Sequence, residues 1–596
     1  MRVIKKFSQL LTERQKKKVI ILFFMMLLGA ALEVCGVSMM LPLVTAIMDK
    51  NIITENAVVA DICSLFCIKS HAGFVMLCIL MLLILYIVKT VYLVFEYYIQ
   101  YRFIGNNQFA VQEALLNAYL HRPYQSFLSM QSGEVVRVVQ DDTEKTFGML
   151  SSLLLAASET TVSAFLLLAV FVISPVMTVL VAFAMILAML FIVKAVRPAL
   201  QRQGIRYQES YAQNNKWLLQ AISGIKEIKA AQTEGFFLEN YGVYGKRRVR
   251  AFRINNTLQN VPRFLIEAAS ICSMLLIIGS MILAGQDVRQ LLPALSAFVM
   301  AAVKLLPSAN RIVGAFNQIA FSEPALDNML RNIKQVPLEH GVQQNRFSDR
   351  HMKDSVVLME LKREILMSGI SYSYPGSSQA VFRNMNLSIP IGSSIGIVGA
   401  SGAGKTTAID ILLGFLQPQE GQVLADGVDV SANLSGWLGH IGYIPQMIFM
   451  LDGTMRDNII FGRKRNSNGD DAVWAALEEA QLAAFVRELP EGLDTEIGER
   501  GVRLSGGQRQ RVGIARALFT DPQVLIFDEA TSALDYDTEE AVMQAIHALH
   551  GKKTMVIIAH RLTTIAGCDA VYRVADGKLL KESEKDRLSG ADAHKG

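Results

Sequence analysis

Along the first half of this chain the apolar residues come in long unbroken runs; along the second half the runs are short. Six of the long runs, near 19–48, 74–99, 149–173, 176–196, 264–284 and 291–316, can each cross the ~30 Å hydrocarbon layer of a bilayer as a helix. The third and fourth nearly touch at Ser174-Pro175, and the fifth and sixth are joined briefly through Gly285-Gln286-Asp287. Long polar segments with helical patterning, 101–147 and 197–263, separate the second run from the third and the fourth from the fifth. The pattern predicts an all-α, six-span transmembrane domain over 1–322. Residues 323–361 are polar and irregular and read as a linker. Over 362–596, short β-type runs such as 394–398 and 524–527 alternate with helical patterns, as in an α/β domain.

Charge orients the spans. Arg2, Lys5, Lys6, Arg14 and Lys16 to Lys18 crowd the N-terminus. The two long polar segments carry Arg122, Arg137, Lys145, Arg202, Arg206, Lys226, Lys229, Lys246, Arg247, Arg248 and Arg250. The short opposite loops are nearly free of Lys and Arg, so the positive-inside rule puts the N-terminus, both long loops and the C-terminal half in the cytoplasm. The basic start and the length of the first run argue against a cleavable signal. Hydrophobic content of 52% is high for a soluble protein, and a net charge of +5 is too small to argue for a nucleic-acid partner. The six cysteines show no metal-ligand spacing; Cys63 and Cys67, close together in a predicted outside loop, read as packing.

The second half carries the chemistry. Gly399-Ala-Ser401-Gly402-Ala-Gly404-Lys405-Thr406 fits G-x-x-x-x-G-K-[ST], in which backbone N–H groups wrap phosphates, Lys reaches the β/γ oxygens and Thr holds Mg²⁺. It follows a strand pattern and opens a helix, with Thr407 next in line. Leu504-Ser505-Gly506-Gly507-Gln508 opens another helix and offers a second grip on anionic oxygen. Val524 to Phe527 is a buried-strand pattern ending in Asp528, placed to support the metal, and Glu529, placed to polarise an attacking water. His560 ends a further apolar strand, 554–559, where it can meet the γ-phosphate. One chain offers one phosphate loop and one second grip, so two copies closing face to face on ATP and Mg²⁺ complete two sites.

In this order and spacing, the motifs of the C-terminal ~230 residues resemble the nucleotide-binding domain of ABC transporters. The resemblance implies that Tyr374 stacks on adenine and that Gln446 senses the γ-phosphate and joins the metal site. It also implies that Asp535 lies on the loop crossing between paired domains, and that Thr495 to Gly501 is the segment exporter-type members carry before the signature. The fold class expected is thus a six-span exporter-type domain fused to an α/β P-loop domain, working as a homodimer. Coupling helices are expected near 123–127 and 224–228.

Charges inside the spans cost free energy in lipid and so point to function or pairing. Lys89, Arg263, Lys304 and Arg311 are the bases; Glu33, Glu159 and Glu267 are the acids. Lys304 and Arg311, seven apart, share one helix face and suggest a cationic lining for a phosphate or diphosphate. Snorkelling of Arg263 and Arg311, or an Arg263–Glu267 pair at i, i+4, is the structural alternative. Glu33 reads equally as counter-ion or substrate contact. Lys304 to Arg311, Val261-Pro262-Arg263 with Glu267, and Glu33 resemble bacterial ABC flippases of lipid-linked oligosaccharides. That implies a polyprenyl-diphosphate glycan carried across a bacterial inner membrane. Export of a lipid, drug or peptide remains the alternative, and an ATP-gated channel or regulator is disfavoured by the complete hydrolytic set.

Overall fold

The computed structural model describes the chain apart from residues 1–4, 8–9, 40–42, 44–46, 48–69, 129, 174, 284–287, 335–358, 378, 464–469, 530–535, 560–561 and 583–596, and apart from the side chains of 37–38, 132, 333–334 and 562–563 and many in 169–193, 269–304 and 536–545. Cys63, Cys67, Asp535, His560 and the Lys304 side chain therefore lie outside the described residues. Two compact units result: Met1–Arg122 with Ser126–Phe347, and Pro123–Gln125 with Ser348–Gly596.

The first unit is built on long helices: α1 (Glu13–Ser38), α2 (His71–Leu120), α3 (Thr143–Ile173), α4 (Pro175–Ser223), α5 (Glu234–Leu283) and α6 (Val288–Lys334). Among the described residues, Glu13–Gly36, His71–Leu120 and Gly133–Leu168 are long and apolar enough to cross a membrane. Helices α2, α4 and α5 have 50, 49 and 50 residues. At 1.5 Å per residue each is roughly 75 Å long, over twice the ~30 Å hydrocarbon layer. The polar segments are thus largely continuations of the spans. Short helices, Tyr124–Phe127 and Ile225–Ala231, interrupt them; the second ends where Gln232 turns left-handed at φ 54°.

Packing explains how the extensions hold together. Phe7, Leu22, Met26, Phe103, Phe147, Met149, Leu326 and Met329 form one buried cluster drawn from the N-terminal segment, α1, α2, α3 and α6. Gly204 lets α4 approach α6, because a Cβ there would overlap the Phe321 carbonyl oxygen. The linker begins later than the composition suggested. Helix α6 continues to Lys334 because Ile319, Ala320, Leu326, Met329 and Leu330 recur at helical spacing and are buried. Its polar residues are paired rather than loose: Glu323 meets Arg197 at 3.1 Å and Lys6 at 3.7 Å.

The second unit holds two sheets. One is antiparallel, in the order β2-β1-β4-β5, from β1 (Glu364–Tyr372), β2 (Phe382–Pro390), β4 (Glu420–Ala425) and β5 (Val428–Asp429). The other runs β10-β9-β3-β8-β7-β6, from β3 (Ser394–Gly399), β6 (Ile441–Ile444), β7 (Val524–Asp528), β8 (Thr554–Ile558), β9 (Ala570–Ala575) and β10 (Lys578–Lys581). Strands β3, β8, β7 and β6 pair in parallel. Every residue of β7 and β8 is buried, which accounts for their unbroken apolar runs. Helices α7 (Lys405–Leu412) and α8 (Gly506–Leu518) open within the two glycine motifs, capped at Gly404 and Ser505.

Candidate functional site

Parallel pairing places the C-terminal ends of β3, β8, β7 and β6 side by side along one edge of the sheet. Gly399 ends β3, Asp528 ends β7, and Gln446 follows β6 by two residues. Motifs that lie 40 to 130 residues apart in the chain are brought together by strand order, at the edge where ligands of open α/β sheets bind.

The phosphate loop is held open by its glycines. Gly402 and Gly404 have φ of 77° and 107°, conformations that a side chain rarely adopts. A Cβ on Gly404 would also stand 2.7 Å from Val381 Cγ1. Ser401 and Thr406 are exposed, while Lys405 is buried and its Nζ donates to the carbonyls of Gly399 and Ala400 at 3.1 and 3.2 Å. Thr407, buried at the first turn of α7, shares a 3.0 Å hydrogen bond with the Tyr374 hydroxyl. Tyr374 in turn lies edge-on to Tyr372, with ring centroids 5.3 Å apart. The candidate adenine-stacking residue is thereby tied to the helix that begins in the phosphate loop.

Two acids stand at the end of β7. Burial, and then the charge of Glu529, raise the Asp528 carboxyl above its ordinary range. Gln446 Nε2 donates to Glu529 Oε2 at 2.6 Å. Glu529 itself has φ 50°, with its N–H on the Ile558 carbonyl at 3.1 Å, so an acidic side chain is held in backbone geometry that usually costs about 1 kcal/mol or more. Two further residues belong to this cluster. Tyr443 donates to Asp528 Oδ2 at 3.4 Å, and burial followed by the Asp528 charge raises its phenol. Asp410 on α7 is pushed up to about 6 by burial and then by Asp528. A lone acid within the apolar run Ala408 to Leu412 was the available sequence signal for Asp410; nothing local marked Tyr443.

Ser505 caps α8. Its hydroxyl accepts from the Gln508 N–H at 3.2 Å, and Gln508 Oε1 accepts from the Ser505 N–H at 2.8 Å. This reciprocal capping box leaves Ser505 and Gly506 exposed at the helix N-terminus, with Gly507 buried behind them. Among the described residues no hydrogen bond joins Ser505–Gln508 to Gly399–Thr407.

In the membrane half, two of the predicted basic residues form cross-helix pairs. Lys89 on α2 is buried, 3.8 Å from Glu33 of α1 and 5.1 Å from the Tyr86 ring centre. Arg311 on α6 donates to Glu159 of α3 at 2.5 Å, yet its side chain stays 56% exposed. Arg263 and Glu267 are both exposed and form no ion pair with each other, so the i, i+4 alternative is not realised. Glu96 was overlooked at the sequence level despite lying within an apolar run. It is buried on α2, with Oε2 lacking a hydrogen-bond partner.

The comparisons agree with this division. A family model described as ABC transporter transmembrane region matches residues 19–303, and one described as ABC transporter matches 382–532. An ATP-dependent lipid A-core flippase of Methylobacillus flagellatus is 27% identical over 478 residues, covering 79% of this chain and 78% of the relative. The heterocyst differentiation ATP-binding protein HepA of a Nostoc species is 29% identical over 480 residues, covering 78% and 74%. Among solved structures, a bacterial Atm1-family ABC exporter with ATP bound superposes with a TM-score of 0.74 at 22% identity, covering 97% and 96%.

Proposed function

This chain belongs to the ABC transporters and is an ATP-hydrolysing exporter, and we propose that it works as a homodimer flipping a polyprenyl-diphosphate-linked oligosaccharide across a bacterial inner membrane. The observation that carries the cargo reading is Arg311. It is a guanidinium on a span helix, anchored by Glu159 at 2.5 Å and still 56% exposed. Its open fork, with exposed Arg263, suits bidentate contact with phosphate oxygens. Lys89 is engaged by Glu33, so its part is to fix the α1–α2 seam and present residual charge; Lys304 is assigned as a further cation. The lipid named for the flippase relative supports a lipid cargo over a drug or peptide.

In the proposed cycle, ATP lies with adenine on Tyr374 and its phosphates in the amides of Gly399 to Gly404, their charge countered by Lys405 with the Thr406 and Thr407 hydroxyls alongside. Thr406, Gln446 and Asp528 would hold Mg²⁺, which shields phosphate charge when bound. The residues fit a cation, because burial and then the Glu529 charge raise Asp528, burial and then the Asp528 charge raise Asp410, and a positive charge at this cluster relieves that repulsion. Glu529, oriented by Gln446, polarises the attacking water. His560 contacts the γ-phosphate. Ser505, Gly506, Gly507 and Gln508 of the second copy close over the nucleotide, with Asp535 at the crossing between copies. The exposed Ser505 cap, unconnected to the phosphate loop of its own chain, supports that trans grip. The N-terminus and nucleotide domain face the cytoplasm, and closure and reopening drive the spans between inward and outward openings.

The test is stimulation of ATPase activity in reconstituted vesicles. A polyprenyl-diphosphate sugar should raise turnover above that seen with ordinary phospholipid or an amphipathic drug; equal response to all three would remove the cargo assignment.

A further inference from the structure

Four of the basic residues that oriented the chain in the membrane converge on a single cavity of about 930 Å³ between α4, α5 and the segment leading into α3. Arg137, Arg206, Arg247 and Arg250 line it, against only two carboxylates, Glu134 and Glu209. Glu134 is already engaged by Arg137 at 3.3 Å. Among the described residues, no carboxylate forms an ion pair with Arg206, Arg247 or Arg250. Arg137 is 91% buried by its 9% relative exposure, and its Nε faces the fully buried Asp142 Oδ2 at 3.4 Å, so Glu134 and Asp142 share its charge.

A solvated basic face would spread its arginines and expose them all. Here one guanidinium is buried and held by Glu134 and Asp142, and three more, with no ion-pair partner among the described residues, open onto the same hollow. The volume is at the upper end of the ~300–1,000 Å³ range for small-molecule sites, far more than a single chloride or phosphate needs. Four planar forks favour oxyanions with several acceptor oxygens over simple halides.

Position separates this cavity from both sites described above. Arg206 lies ten residues beyond the fourth apolar run and Arg250 fourteen before the fifth. Helical rise puts them roughly 15–20 Å outside the hydrocarbon, beyond the ~5–8 Å headgroup layer. An anion reaching it comes from the water side, or stands on a long polar headgroup.

We propose that this cavity is a second anion site, distinct from the phosphate loop and from the charges within the spans, and that it takes a diphosphate group. The source is either a soluble diphosphate or the headgroup of a lipid diphosphate. The site does not depend on the flippase reading, because binding of a soluble diphosphate would stand even if no lipid were moved.

The test uses full-length protein in detergent with its phosphate loop filled by a non-hydrolysable ATP analogue. Titration calorimetry is run with inorganic pyrophosphate in one arm and with micellar farnesyl diphosphate in the other. Sulfate at equal ionic strength is the reference. Saturable binding of either diphosphate, at least 10-fold tighter than sulfate, supports the site. The arm that binds identifies the source: both for the free group, farnesyl diphosphate alone for a headgroup. The exposed variant R206Q/R247Q/R250Q should weaken binding 10-fold or more, and Arg→Lys at the same positions should restore only part of it. Binding no tighter than sulfate, or equal binding by the triple Gln variant with unchanged ATPase activity, would overturn the proposal.

Discussion

Replacing Asp410 by Asn tests the electrostatics of the nucleotide site without removing a group assigned to catalysis. The Asp410 carboxyl is pushed up from 3.8 to about 6 by burial and then by Asp528. Between those two values the folded chain keeps a proton that the unfolded chain has released, so stability falls as pH rises through the window and the full penalty applies above it. A shift of two units corresponds to about 3 kcal/mol. Asp410 is only partly buried, and water screens the effect to about 1–2 kcal/mol. Asn carries no charge and should recover that amount. For a domain of this size, thermal unfolding of the nucleotide-free full chain at pH 7.5 should shift upward by about 2–8 °C. At pH 4.5 only about a third of the penalty is in force, so the gain should shrink to about a third. Fluorescence of Trp437, buried beside α7 with its indole N–H on the Leu412 carbonyl at 3.0 Å, reports this domain. The same gain at both pH values, or a lower midpoint at pH 7.5, would refute the reasoning.

Further outcomes follow from the same geometry. Glu529→Gln should cut ATPase turnover by roughly 10²–10⁴ and accumulate an ATP-bound dimer on size exclusion; unchanged hydrolysis would sink its assignment as base. Gly404→Ala, at φ 107° and facing Val381 at 2.7 Å, should strain the phosphate loop by about 1–3 kcal/mol. ATP affinity should fall at least 10-fold, and an unaltered dissociation constant would show that this loop conformation is not the one that holds nucleotide. Neutral residues at Lys89, Lys304 and Arg311 should abolish stimulation by a lipid diphosphate while basal ATPase survives. Glu159→Gln is added so that the lost Arg311 does not leave a buried carboxylate unpaired, and full stimulation in that quadruple variant would remove the cationic lining.

The sequence carried the division into a helical membrane half and an α/β half, because span length and strand patterning are local properties of the chain. It also carried the glycine loop and the acid pair closing β7, whose chemistry depends on adjacent residues. What it could not carry was partnership across elements. Tyr443 enters the site only because β6 pairs in parallel with β7, and Asp410 only because α7 packs against the same strand ends. The Arg311–Glu159 bond spans 152 positions and two helices, so an i, i+4 search found Glu267 beside Arg263 instead. The late end of α6 was hidden for a related reason. Its polar residues look like linker until Arg197 and Lys6, more than a hundred positions away, turn out to satisfy Glu323.

The most direct test of the central claim is translocation itself. Purified protein is reconstituted in sealed vesicles holding a fluorescent polyprenyl-diphosphate saccharide, and a membrane-impermeant quencher or glycosidase reports which leaflet holds the sugar. ATP added on the side of the nucleotide-binding domains should move the label to the opposite leaflet, and Glu529→Gln should leave it in place. Equal movement with and without ATP, or ATP hydrolysis with no movement of the diphosphate lipid, would contradict the account.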